Sequence, residues 1–265
     1  MSKPLISLIA AGMVALASAA PARESVAPAG ARPYAGPVGP GSLSGIWVKI
    51  GEPSGLPILE EMYEPREEVL TTGDGTPLPA QPWAAELIEQ RLKDAEAGHP
   101  FADTQSQCLP AGVPHMMFEF GPMQFLETPG QVTILRQQFT FFRIIHMGGD
   151  HPKDLDPTFL GHSVGHWEGD TLVVDTIGLR DDTTIKVVIP HSEQMHVIER
   201  YRRLSDEVLE IRATIDDPKT FTRPWLMVTQ LKPLRTPLTE FFCENNRNVR
   251  GPNGTLVVRP ASSGP

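Results

Sequence analysis

Four histidines, His162, His166, His191 and His196, fall between Leu160 and Val197 of this chain, interleaved with carboxylates and arginines. Imidazole changes charge near neutral pH, so histidines held beside carboxylates suit general acid–base chemistry. The densest stretch is LGHSVGHWEGDTLVVDTIG, residues 160–178, with His162, His166, Glu168, Asp170 and Asp175 around a Glu168-Gly169-Asp170 turn. Glycine adopts positive φ without steric cost, so such a turn between alternating apolar residues predicts a hairpin. The ionisable groups are therefore expected on strands, which hold a constellation more rigidly than loops do.

Side chains on a strand alternate between faces, and this decides which groups can meet. In 170–177, Thr171, Val173, Asp175 and Ile177 share one face, and Leu172, Val174 and Thr176 share the other. In 195–204, His196, Ile198, Arg200 and Arg202 oppose Met195, Val197, Glu199 and Tyr201. His196 and Arg200 thus point one way and Glu199 the other. Arg143 is the odd residue of the aromatic strand 139–146: flanked by Phe139, Phe141, Phe142 and Ile144, it must face solvent or meet a buried anion. An arginine sharing a face with Phe141 would suit a phenolate or carboxylate.

Other chemistries find less support. His162 and His166, four apart on a strand, have α-carbons about 13 Å apart, which argues against a shared metal. No HExxH or Cys/His spacing suggests zinc, so no metal is expected. Ser163 and Ser192 each adjoin a histidine, but neither lies in a G-x-S-x-G elbow, and hydroxyls satisfying turns and strand ends are the simpler account. No glycine-rich dinucleotide or phosphate loop is present; Gly148-Gly149-Asp150 reads as a turn, and His151 beside it as a surface histidine. Asp216 and Asp217 precede Pro218 and read as turn anchors, with pairing to Arg223 as the alternative.

The elements follow the same patterns. Lys3, the apolar run Leu5–Leu16 and Ala17-Ser18-Ala19 have the form of a secretory signal peptide over 1–19, with export to the periplasm as the consequence. No later apolar run reaches membrane length, so no membrane span is expected. The Pro-, Gly- and Ala-rich stretch 20–42 reads as flexible linker, 43–250 as one domain, and 251–265 as flexible tail. Within the domain, 44–48 reads as a first strand, 51–82 as irregular loop, and 83–97 as an amphipathic helix ended by Gly98 and Pro100. From Gln131 onward seven or eight short strands follow, split by turns. They predict an all-β fold, an antiparallel barrel with one or two peripheral helices and room for one small ligand. In an oxidising compartment Cys108 and Cys243, the only cysteines, read as a disulfide, with two free buried thiols as the alternative. A net charge of −9 argues against nucleic acid, and the short cluster Arg200, Arg202, Arg203 reads as a solvated strand face.

The strings CLPAGVP (108–114), FLETPGQVTI (125–134), HPKDLDPTFLGHSVGHWEGDTLVVDTIG (151–178), PHSEQMHVIERYRR (190–203), IDDPKTFTRPW (215–225) and CENNR (243–247) resemble those of a family of exported proteobacterial proteins. The resemblance covers most of 87–247 and implies a lipocalin-like barrel. One branch of that family, in sphingomonad-type bacteria, removes formaldehyde from phenylcoumarans, aromatic dimers derived from lignin. The resemblance therefore implies a cofactor-independent carbon–carbon lyase acting on a small aromatic molecule. The residues suited to that chemistry are His196 or His191 as base, His162 as second proton-transfer group and Asp175 as orienter. Arg143 or Arg200 would contact the anion, with Phe141 and Trp167 against the rings. A non-catalytic periplasmic carrier of a small aromatic ligand is the alternative, and a homodimer stays open.

Overall fold

The structure, a computed structural model, describes residues 41–51, 66–241, 243, 248–250 and 256–258. The expected signal peptide, the linker up to residue 40, and Glu244–Arg247 of the CENNR string lie outside the described residues.

Nine strands close into one barrel: β1 (Gly45–Lys49), β2 (Met123–Thr128), β3 (Gln131–Arg136), β4 (Phe142–Met147), β5 (His162–Glu168), β6 (Thr171–Ile177), β7 (His196–Ser205), β8 (Val208–Asp216) and β9 (Trp225–Pro233). Each pairs with its sequence neighbour, and β9 returns to β1. Period-two alternation puts Val197, Glu199 and Tyr201 of β7 inside, and Leu172, Val174 and Thr176 of β6 with them. The lumen is filled by such side chains, Phe125, Ile134, Arg143, Ile145, Tyr201 and Ile211 among them. At Gly165 of β5 a Cβ would stand 2.7 Å from Ile145, so only glycine lets β5 lie this close to its neighbour. The predicted hairpin is present, with Gly169 at φ +63° and Glu168 paired with Thr171.

Three features depart from the sequence expectation. The barrel is mixed, because β4 and β5 run parallel, Ile145 opposite Ser163. A parallel pair needs a long return connection, and residues 148–161 supply it across the outside. Strand β2 was not anticipated: its alternation of buried Met123 and Phe125 with half-buried Gln124 and Leu126 is short and bounded by Pro122 and Pro129. The 251–265 tail is not wholly irregular, since β11 (Leu256–Val258) pairs antiparallel with β10 (Asn248–Arg250) outside the barrel.

Helix α2 (Pro82–Glu96) is the expected amphipathic helix, with Ala84, Ile88 and Leu92 buried one turn apart. One-turn helices α1 (Arg66–Val69) and α3 (His115–Phe118) add Val69, Met116, Met117 and Phe118 to the same core. Cys108, after a 3₁₀ turn, is bonded to Cys243 with α-carbons 5.9 Å apart, so the expected disulfide is present. The bond closes a loop across a sequence separation of 135 residues. The double variant Cys108→Ala/Cys243→Ala should lose about 2–5 kcal/mol in urea unfolding; an unchanged midpoint would refute that contribution.

Candidate functional site

Strands β5, β6 and β7 carry His162, Asp175 and His196 on the outer wall. Their neighbours Ser163, Thr176 and Val197 are buried inside, which fixes the outward direction of the three. Register places them together: His162 stands opposite Ile177, while Asp175 lies between Val164 and Ile198 in the next row. Asp175 is thus diagonal to a histidine on each side, a separation that long side chains cross. His196 Nε2 lies 2.8 Å from Asp175 Oδ1.

The crossover 148–161 completes the group. It brings His151 down onto the wall, with Nε2 3.2 Å from Asp175 Oδ1 and Nδ1 2.9 Å from His162 Nδ1. His146, from the parallel neighbour β4, stacks on His162 with ring centroids 5.0 Å apart and planes 13° from parallel. His151 looked like a solitary surface histidine in the sequence, and His146 carried no signal. Only a return loop crossing the wall joins them to the strand histidines.

Hydrogen bonding sets the proton positions. A carboxylate only accepts, so Asp175 holds both His151 and His196 as Nε2–H tautomers. When neutral, His151 then accepts at Nδ1 the Nδ1–H of His162. This leaves His162 Nε2 and His196 Nδ1 as lone pairs to which no described residue donates. Burial lowers the His162 pKa below the ordinary histidine value, and the nearby His146 and His151 lower it further. His162 is therefore a neutral base at neutral pH. The donors run in series rather than around a point, and among the described residues no three His, Cys, Asp or Glu side chains form a metal-holding group.

The other expected residues sit elsewhere. His191 is buried, its Nδ1–H donating to the Ser192 carbonyl at 3.0 Å and its Nε2 2.7 Å from Thr183 Oγ1. Burial lowers its pKa as well, and both ring nitrogens are already engaged. Its loop is held by Asp217, which accepts from the Ser192 N–H and hydroxyl, so Asp217 is a turn anchor. Arg143 has found its anion inside the barrel: it forms a fork with Glu199 and donates to Tyr201, Ser163 and Thr176. No donor of this fully buried guanidinium is left for a ligand. Burial opposes its charge, but Glu199 and Tyr201 outweigh that and raise its pKa. Arg200 pairs on the surface with Glu168 at 2.6 Å. Phe141 stacks on Phe139 before β4 begins, and Trp167, five residues beyond His162 on β5, is about 17 Å from it. Of the eight candidate residues the structure gathers His162, Asp175 and His196. The other five, His191, Arg143, Arg200, Phe141 and Trp167, are not part of the cluster.

No family model, curated protein or solved structure matches this chain.

Proposed function

We propose that the protein is a cofactor-independent acid–base enzyme of the barrel's outer wall, a carbon–carbon lyase that releases formaldehyde from a phenylcoumaran-type phenolic dimer. The observation that carries this reading is the Asp175-centred chain of histidines, which leaves two imidazole lone pairs, His162 Nε2 and His196 Nδ1, available for proton transfer. The substrate class comes from the family resemblance in the sequence.

The reaction needs two bases and no redox partner. His162, kept neutral by its surroundings, takes the phenolic proton; the electron pair moves through the ring and opens the benzylic C–O bond, giving a quinone methide and a second phenolate. His196 takes the proton of the neighbouring primary hydroxyl. The C–C bond then breaks to formaldehyde, its electrons forming the new carbon–carbon double bond and restoring the aromatic ring. Protons return from the two imidazoles to the two phenolates, so charge and electrons balance. Asp175 orients His196 directly and His162 through His151, as a carboxylate does for a catalytic imidazole. Signal-like residues 1–19 and the disulfide support a periplasmic location.

The test is to incubate the purified protein with a phenylcoumaran and to measure formaldehyde and the stilbene product. Equimolar appearance of both is expected. The ring protons of His162, followed by NMR through a pH titration, should show its base form persisting below pH 6.5, the ordinary histidine value, because burial and the nearby His146 and His151 lower its pKa. Absence of turnover with phenolic dimers would overturn the lyase. Saturable binding without turnover would return the reading to a carrier.

A further inference from the structure

The barrel closes unevenly. Five-residue β1 pairs with nine-residue β9 only at Trp47–Pro233, Val48–Lys232 and Lys49–Leu231, and Ile50 adds a bond to the Gln230 carbonyl. Among the described residues, no strand therefore lies beside the first half of β9, Trp225–Thr229, on the β1 side. Its edge is partly met by a loop, where the Gly73 N–H bonds the Leu226 carbonyl. A Cβ on Gly73 would stand 2.9 Å from the Leu226 oxygen and the Val228 nitrogen, so glycine is what allows this close docking. Between the loop, β9 and the end of β1 lies a cleft of about 320 Å³, at the lower end of the range for small-molecule pockets.

Phe118, Met227 and Val228 give it apolar surface, and its polar groups include the cations Lys49 and Lys186. Among the described residues, Trp225 Nε1 and Thr229 Oγ1 have no hydrogen-bond partner, although both residues are over nine-tenths buried and line the cleft. Buried donors are normally paired, and an indole N–H can only donate. The Lys49 ammonium, at the rim, meets the Phe118 carbonyl at 3.4 Å and lies 5.2 Å from the centre of the Phe120 ring. Among the described residues no carboxylate forms an ion pair with it. Lys186, whose ammonium donates to the Glu68 carbonyl at 2.8 Å, adds a second positive charge, and among the described residues Glu68 is the one acid of the lining.

We propose that this seam cleft binds a small amphipathic carboxylate, one ring or a short chain in size, with its apolar body against Phe118 and Met227. Lys49 pairs with the carboxylate, and rotation of the Thr229 side chain, whose hydroxyl is closed off from open space in the free protein, brings a second donor onto it. The site lies on different strands from the histidine chain and does not depend on the lyase reading.

Calorimetric titration with cinnamate, and with cinnamyl alcohol as its uncharged counterpart, tests the proposal on the full protein. Cinnamate should bind saturably and the alcohol at least tenfold more weakly. Lys49→Met and Thr229→Val, each checked for an unchanged melting temperature, should weaken cinnamate about tenfold; the near-isosteric Thr229→Val serves if Lys49→Met does not fold. His162→Ala should bind cinnamate as the wild type does, whatever its effect on turnover. No heat with cinnamate, equal affinity for the alcohol, or unchanged affinity in both cleft variants overturns the proposal. So does binding that is lost in His162→Ala, because the acid would then sit at the histidines.

Discussion

Removing one partner of the Arg143–Glu199 pair is expected to cost about 3–5 kcal/mol, the usual result of leaving a buried charge uncompensated. Both side chains are at most 1% exposed, and Tyr201, Ser163 and Thr176 converge on the same guanidinium. The two single variants should differ. Glu199→Gln leaves a guanidinium that cannot lose its proton inside an apolar barrel. Arg143→Met leaves a carboxylate that can take one up and keep its bond with the Tyr201 hydroxyl. Glu199→Gln should therefore be the more damaging at neutral pH, and Arg143→Met should recover relative to wild type as pH falls. The double variant Arg143→Met/Glu199→Gln, which buries no charge, should be more stable than either single one. Equilibrium urea unfolding of the four proteins at two pH values measures all of this. If the single-variant losses simply add in the double variant, the two side chains are not coupled.

Arg143 is also the clearest case of what could be read without a structure. An arginine inside an aromatic strand required either solvent or a buried anion, and alternation had already turned Glu199 away from His196 and Arg200. Both statements hold, yet nothing in the sequence said that the two requirements answer each other, because β4 and β7 meet only across a filled lumen. Alternation likewise placed Asp175 and His196 each on a definite face. Which face looked outward depended on barrel closure, a property of nine strands together. His151 was unreadable for a different reason: its position follows from a long crossover whose parallel return no local pattern encodes. His191 misled because a histidine in a polar loop resembles a site residue. Its burial arises from Asp217 and Thr183, which are distant enough in sequence that only packing reveals the contact.

Loss of either outer-wall lone pair should reduce turnover far more than it reduces stability. General acid–base assistance is worth about 10²–10⁴-fold, so His162→Ala and His196→Ala should each lower kcat by that order, with small changes in melting temperature for such partly exposed side chains. The double variant should fall by less than the product of the two single losses, since the two imidazoles serve successive steps and only one limits. Asp175→Asn keeps the shape but offers an N–H where the histidines need an acceptor. It can invert the tautomers of His151 and His196 and so move both lone pairs away from the substrate. Its kcat should fall toward that of the alanine variants while substrate affinity changes little. Two histidines serve as controls. His166→Ala, on the exposed side of the hairpin and bonded to Glu168, should leave turnover at the wild-type level. His191→Gln should lower the melting temperature more than it lowers kcat of the folded fraction. Wild-type turnover in both His162→Ala and His196→Ala would remove the outer wall from the chemistry, whatever the substrate proves to be.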